Sequence, residues 1–344
     1  GIKEMKWIIP SNIANLISVV IIVLPFIYLK KPLYLIALLW SLSQFVGIIV
    51  TTYLLKKNGF LVDSKITKSK IYRLIKRSIG VGLDNVIYKL GVNLTNIILP
   101  FYLAEVQIGI FNGAFKPFVL LIAGNQITIQ FFIPYLASRR NEGKQEKERI
   151  LHIFHKLNVL FTCTIIIMPL FFSNFLNRFF FGNKLTESIP YMVLMTLGYF
   201  IYYLPPYAVP LKAFGKEWKV IYSSLGQLMI NLFAIIILVP KYGVKGAVYA
   251  VIMAFLAYWL INILIYIKEK IRPISNIFNY FLFIVFSLLN GFLIQTFLYQ
   301  NIYSIFLFII INFIVAYLIF FTKKDKRLFI SFLKVKHQDI LIKS

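Results

Sequence analysis

Long apolar segments, separated by short clusters of charged residues, dominate the hydrophobic pattern of the chain. Each segment is long enough to cross about 30 Å of hydrocarbon as a helix. Most segments lack the polar alternation of a transmembrane β-barrel, so helices are the predicted way to satisfy the backbone. We predict an all-α polytopic membrane protein with about ten transmembrane helices, at residues 11–29, 33–55, 79–103, 110–137, 157–177, 188–211, 220–239, 245–267, 277–299 and 302–322.

The composition supports this interpretation. Apolar residues make up 60% of the chain, charged residues 14%, and the mean hydropathy is +0.80, whereas a soluble domain has roughly a quarter of its residues charged. The single cysteine excludes an intrachain disulfide, and the three histidines are too few and too scattered to suggest a metal site. We therefore predict no metal and no cofactor.

The basic residues lie mainly on one side of the predicted helices. Of the 37 lysines and arginines, 29 fall in residues 1–10, 56–78, 138–156, 212–219, 268–276 and 323–344, and six fall in the opposite loops. The positive-inside rule therefore places both termini of this chain in the cytoplasm. Because the charge is spread over six membrane-facing segments, its partner is expected to be the lipid bilayer and not nucleic acid.

The longest basic connection, residues 56–78, is predicted to separate two helix bundles. Its second half, "IYRLIKRSIG", fits either an amphipathic helix on the anionic inner leaflet or a solvated basic linker. The sequence leaves these two alternatives open.

The helix predicted at 79–103 carries polar residues on one face. Asn85, Lys89, Asn93 and Asn96 fall within an arc of about 80°, which we call the polar stripe. Lys89 lies near the middle of the membrane, where a charge costs on the order of 3 kcal/mol unless it faces a partner or water. Asp84 lies about 140° around the helix from Lys89, so we predict that it is a counter-ion on another face or an ion-coupling residue.

The next helix repeats this pattern with Asn112, Lys116, Gln126 and Gln130, again within about 80°. One explanation is that these residues join helices, with Asp84 neutralising one lysine. Eight polar residues on two neighbouring helices favour the other explanation, a hydrated cavity between them. Two lysines against one carboxylate would suit an anionic substrate.

Tyrosines concentrate near the paired prolines in "YMVLMTLGYFIYYLPPYAVP", residues 191–210. Tyr199, Tyr202 and Tyr203 are candidates for stacking on sugar rings, although tyrosines also occur in interfacial belts. Enzymatic function is not predicted, because the external loops are short and the chain has no P-loop, HExxH motif or nucleophile elbow.

Three further segments carry a family resemblance: "VGLDNVIYKLGVNLTNIILPFYLAEVQIGIFNGAFKPFVLL" (81–121), "PYLASRRNEGKQE" (134–146) and "VPKYGVKGAVYAVIMA" (239–254). In order and spacing they resemble the C-terminal lobe of polysaccharide transporters of the Wzx flippase type. This family belongs to the multidrug/oligosaccharidyl-lipid/polysaccharide exporter superfamily, whose members have two six-helix lobes and often two extra C-terminal helices.

The resemblance implies a domain organisation for most of a two-lobe flippase bundle. Residues 1–55 would be the last two helices of the N-terminal lobe, 56–78 a cytoplasmic linker, and 79–267 the C-terminal lobe. Residues 277–322 would be the two extra helices and 323–344 a basic cytoplasmic tail. Because the family's first four helices have no counterpart here, we expect an N-terminally incomplete chain; the alternative is a short transporter that dimerises.

The resemblance also implies a function in the bacterial cytoplasmic membrane. It predicts translocation of undecaprenyl-pyrophosphate-linked oligosaccharides for O-antigen, capsule or exopolysaccharide assembly, in possible partnership with a polymerase. Lys89 and Lys116 would attract the pyrophosphate, and the amides would bind sugar hydroxyls. The alternatives are a multidrug exporter of the same superfamily and a membrane polysaccharide polymerase.

Overall fold

The computed structural model describes residue 14 and residues 17–23, 25–26, 28–29, 31–57, 68–138, 143–204, 207–269, 277–298 and 301–321. Every regular element within these ranges is helical. The chain divides into two compact units, Gly1–Ile75 and Lys76–Ser344. The tail at 323–344, and residues 58–67 of the predicted linker, lie outside the described ranges.

The first unit contains α1 (Leu33–Lys57) and a helical segment at residues 17–23. The hydroxyl of Ser18 donates a hydrogen bond to the carbonyl oxygen of Ser43 over 3.0 Å, and both side chains are buried. Large apolar side chains such as Ile21 and Ile49 are about two-thirds exposed, at 67% and 66%. A helix with apolar residues on its outside suits contact with lipid.

The remaining helices follow in chain order with short turns between most of them. They are α2 (Lys68–Ile98), α3 (Glu105–Ser138), α4 (Lys144–Phe161), α5 (Met168–Phe181), α6 (Ile189–Tyr203), α7 (Ala208–Ala213), α8 (Glu217–Lys268), α9 (Ile277–Phe297) and α10 (Ile302–Val315). The segment "IYRLIKRSIG" at 71–80 belongs to α2, so it is helical and continues directly into the predicted span.

The helix α8 folds back on itself at Gly243, where φ is 56° and ψ is −132°. A residue without a Cβ adopts this conformation at the least cost. The two limbs, before and after Gly243, run antiparallel: the Ser223 hydroxyl lies 3.0 Å from Oδ1 of Asn262, and Lys219 pairs with Glu269. These limbs correspond to the spans predicted at 220–239 and 245–267.

The close packing of the two limbs leads to the first prediction. A Cβ added at Gly246 would lie 2.6 Å from the carbonyl carbon of Leu238, which is backbone and cannot move aside. We expect Gly246→Ala to lower the free energy of unfolding by about 1–3 kcal/mol, measured as a drop in melting temperature in detergent. Gly109→Ala is the matched control, because a Cβ there meets nothing within 4 Å; equal effects in the two variants would contradict the packing.

The span predicted at 157–177 is bent. A π-helical turn, Thr162–Ile166, separates α4 from α5, and Pro169 lies in the first turn of α5. The two parts, Ile150–Ile166 and Met168–Phe181, meet at 44°. A proline and a π-turn are both known causes of such bends, since each interrupts the regular hydrogen-bond ladder.

Within the described residues, four helical segments are long and apolar enough to cross a membrane, or five with the bent pair. They are Glu105–Ile122, Thr186–Ala213, Glu217–Lys268 and Phe278–Phe297. These segments confirm the predicted all-α polytopic class. The number of ten spans stays a prediction, since α8 counts once here although it has two limbs. The polar residues of α2 lower its hydropathy, so length and composition alone do not identify it as a span.

Candidate functional site

The helix α2 has one polar face that is buried against its neighbours. Asp84 is 1% exposed, and its Oδ1 accepts a hydrogen bond of 2.6 Å from the hydroxyl of Ser224 on the first limb of α8. The same carboxylate forms an ion pair with Lys212 of α7. Asp84 therefore joins α2 to two other helices, and its counter-ion is Lys212.

The same face continues about two and three turns of helix further along. Nδ2 of Asn231 donates hydrogen bonds to the carbonyl oxygen of Gly91, over 2.9 Å, and to the hydroxyl of Thr95, over 3.1 Å. A Cβ at Gly91 would lie 3.9 Å from the Cα of Leu228, so the two helices approach closely. Small residues and amides of this kind are typical of helix contacts inside membranes.

The polar stripe lies on a different face of α2. Lys89 and Asn93 are exposed, Asn96 is half-buried, and Nδ2 of Asn93 donates to the carbonyl oxygen of Lys89 over 2.8 Å. Lys89 and Asn93 therefore lie on a surface of this unit, whereas the Oδ1 atom of Asn96 is buried. The side chain of Asn85 lies outside the described part of the structure.

A third face of α2 is apolar and exposed. Val86, Leu90 and Ile97 are 55%, 48% and 57% exposed, and they follow the polar stripe around the helix. Such a surface suits contact with lipid or with another apolar surface. The helix thus has a packed face, a polar exposed face and an apolar exposed face.

The second polar face, on α3, is described in part. Lys116 is exposed and Asn112 is half-buried, with its Nδ2 donating to the carbonyl oxygen of Ile108 over 3.1 Å. The side chains of Gln126 and Gln130 lie outside the described part of the structure. Lys89 and Lys116 are therefore both exposed cations on consecutive helices, and no ion pair joins them to a described carboxylate.

The three candidate tyrosines have aromatic neighbours. The ring of Tyr199 is 4% exposed and stacks on Phe118 with centroids 4.5 Å apart. Tyr202 stacks on Tyr258 at 5.0 Å and contacts Tyr203, which is 2% exposed, at 4.8 Å. In this conformation the rings form part of the protein core.

The sequence pattern alone does not identify the partners of Asp84. One pattern that could have indicated them is the spacing of Ser224, Gln227 and Asn231 on the first limb of α8. This spacing places three polar residues, all buried in the structure, on one helical face. Lys212 gave no signal of its own, because a basic residue near the end of a span is common. Among the described residues, no three His, Cys, Asp or Glu side chains group together as metal ligands do.

A second charged cluster closes the open end of the α8 hairpin. Glu269, just beyond α8, forms ion pairs with Lys219 and, over 3.2 Å, with Lys216. The hydrogen bond from Lys219, together with the charge of Lys216, holds the pKa of the Glu269 carboxyl below its ordinary value of 4.5. A lowered pKa means that the stabilisation is present above the ordinary value and is lost as the pH falls through the folded-state pKa.

The pH dependence of this cluster is the second prediction. Glu269→Gln should melt slightly below the parent protein at about pH 7, and this difference should disappear as the pH falls through the lowered folded-state pKa, below which the parent carboxyl is also protonated. Because both lysines are more than 40% exposed, the difference at neutral pH should be small and should shrink in high salt. Melting curves at several pH values test this, and a difference that grows in acid would contradict it.

Comparisons with known proteins agree with the resemblance in the sequence. Residues 1–138 match the family described as "Polysaccharide biosynthesis protein", a range that contains α1, α2, α3 and both exposed lysines. Among solved structures, "Lipid II flippase MurJ, inward closed conformation" has a similar fold, with a TM-score of 0.64 and 16% sequence identity. That alignment covers 97% of this chain and 68% of the other.

No curated protein matches the chain. The family match concerns the sequence of the first helices, and the structural match concerns the arrangement of the helices in three dimensions. They confirm the predicted resemblance: residues 1–138 of this multi-pass membrane protein resemble the polysaccharide biosynthesis family, and the chain shares its fold with a lipid II flippase.

Proposed function

We propose that this protein flips undecaprenyl-pyrophosphate-linked oligosaccharides across the bacterial cytoplasmic membrane for surface polysaccharide assembly. The observation that carries the proposal is the division of α2 into a packed polar face and a separate, exposed polar face with Lys89. This helix lies in the range that matches the polysaccharide biosynthesis family. The similarity to a lipid flippase supplies a fold suited to the task.

The position of Lys89 argues for a water-filled passage. An ammonium group facing hydrocarbon in the middle of a span costs roughly 3 kcal/mol, and isolated helices in simulations pay more. Asp84 does not offset this cost, since its carboxylate is held by Lys212 and Ser224. We infer that the polar stripe lines a hydrated cavity and that Lys116, on the next helix, contributes to the same cationic surface.

In this cavity the two lysines attract the pyrophosphate of the substrate by charge-assisted hydrogen bonds. The amides of Asn93, Asn96 and Asn112 bind sugar hydroxyls in this proposal, while the isoprenoid chain remains in the bilayer. Asp84 acts as an anchor that holds α2 to α7 and α8. Substrate movement follows from rocking of helix bundles about the site, as in other transporters built from repeated lobes. The proposed topology has both termini of this chain in the cytoplasm.

A transbilayer assay tests the proposal. Full-length protein is reconstituted into liposomes with a fluorescent undecaprenyl-pyrophosphate oligosaccharide, and the fraction that a membrane-impermeant reductant quenches is followed with time. We expect quenching to pass the half that empty liposomes show. Transport of a cationic dye without glycolipid movement would favour a multidrug exporter, and chain elongation would favour a polymerase; either outcome overturns the proposal.

A further inference from the structure

A cavity separate from the polar stripe opens at the end of the second unit where α5 turns into α6 and where α8 bends at Gly243. Its volume is about 790 Å³, within the range of binding sites for small molecules. The wall is formed mainly by apolar side chains of α3, α5 and α6, among them Ile110, Leu170, Leu194 and Leu197. Leu197 is 52% exposed, so the apolar wall reaches the outer surface of the bundle.

The cavity also has two charged residues of opposite sign. Glu187 lies in the short 3-10 turn before α6, and Lys245 lies at the start of the second limb of α8. Both side chains are exposed, and they do not form an ion pair with each other, although they line the same cavity. Nζ of Lys245 lies 5.7 Å from the ring centroid of Tyr249, which also lines the cavity.

This arrangement matches the chemistry of one class of lipid. An apolar cavity that opens on the surface of a membrane-spanning bundle is accessible to an acyl chain. An anionic headgroup would suit Lys245 but would be repelled by Glu187. A zwitterionic headgroup with a phosphate and a primary ammonium group suits both, because the phosphate accepts from lysine and the ammonium donates to glutamate.

We propose that this cavity binds a phosphatidylethanolamine molecule, with one acyl chain along the apolar wall, the phosphate at Lys245 and the ammonium at Glu187. The site does not depend on which substrate the protein transports. It ties the turn before α6 to the bend of α8 through a single lipid. Phosphatidylglycerol, which has the phosphate but no ammonium, lacks the contact with Glu187.

Native mass spectrometry of the delipidated full chain in detergent tests the proposal, with dioleoyl phosphatidylethanolamine and dioleoyl phosphatidylglycerol as probes. The parent protein should bind the first lipid more tightly. Lys245→Ala should weaken its binding by about 10-fold or more, as expected for loss of a charge-assisted hydrogen bond. Glu187→Gln should leave phosphatidylglycerol binding intact or improved and should remove the preference between the two lipids.

Matched controls are available at the same end of the molecule. Lys241 and Glu105 are exposed and do not line the cavity, so Lys241→Ala and Glu105→Gln should bind both lipids as the parent does. Equal binding of the two lipids by the parent protein, or unchanged binding in both cavity variants, overturns the proposal. Tighter binding of undecaprenyl phosphate than of phosphatidylethanolamine, lost in Lys245→Ala, would assign the cavity to an isoprenoid phosphate and also overturn it.

Discussion

A Lys212→Met variant is expected to lose more stability than Asp84→Asn, although each removes the same ion pair. The side chain of Asp84 is 1% exposed, whereas that of Lys212 is 25% exposed. Without Lys212, a carboxylate stays buried with the Ser224 hydroxyl as its remaining donor, and breaking a buried pair in this way costs about 3–5 kcal/mol. In Asp84→Asn the amide keeps a partner in Ser224, and Lys212 can extend toward water, so about 1–2 kcal/mol is expected.

Thermal unfolding of the purified protein in detergent measures this difference. The double variant Asp84→Asn/Lys212→Met should be more stable than Lys212→Met alone, because no unpaired carboxylate remains. Lys216→Met is a suitable control, since its own side chain is 43% exposed and its partner Glu269 keeps a second ion pair, with Lys219. If Asp84→Asn proved the more damaging of the two single variants, Asp84 would have a role beyond its pair with Lys212.

The largest functional effects are expected from Lys89→Ala and Lys116→Ala. Each removes an exposed cation from the proposed cavity, and loss of one charge-assisted contact to the pyrophosphate should reduce transport about 10-fold or more. Neither side chain is buried, so protein levels should not change. Surface glycan in cells that depend on the full-length protein should therefore fall strongly at normal protein abundance.

Quantitative immunoblots of surface glycan and of the protein check this result together. Lys184→Ala serves as the control, because it removes an exposed lysine from the turn between α5 and α6. Normal glycan in both single variants would remove the lysines from the mechanism. A parallel loss of protein and glycan would show instead that the lysines are structural.

The helical period of α2 predicts the separation of Asp84 from Lys89, and the structure shows these residues on different faces with different surroundings. The pattern could not identify Lys212 as the partner of Asp84, because that contact depends on how α7 and the first limb of α8 dock on α2. The pattern of polar residues also leaves open whether the polar stripe joins helices or lines a cavity. The packed face with Asn231 does join helices, but it consists of other residues.

Bends within helices and the burial of single side chains are harder to predict from the sequence than the apolar segments. The span at 157–177 fits a single helix by length, yet its π-turn and Pro169 produce two parts at 44°. The sequence pattern suggests sugar stacking or an interfacial belt for Tyr199 and Tyr203, whereas in the structure both rings are buried in the core, where Tyr199 packs against residues far along the chain. Such contacts are not encoded in a local pattern, since they require the positions of whole helices.

The bend at Gly243 has a mechanical consequence for the second unit. The two limbs of α8 are joined by a short bend at Gly243. Gly246 packs on Leu238 beside the bend, and Lys219 pairs with Glu269 at the open end. One limb therefore cannot slide along the other without breaking these contacts. The first limb is bound to α2 through Asp84 and Asn231. A displacement of α2 should therefore reach Lys245, which lies beside the bend, at the opposite end of the hairpin from Glu269. We therefore expect the two limbs to move together as one body, with changes of shape at the contacts of the hairpin with other helices.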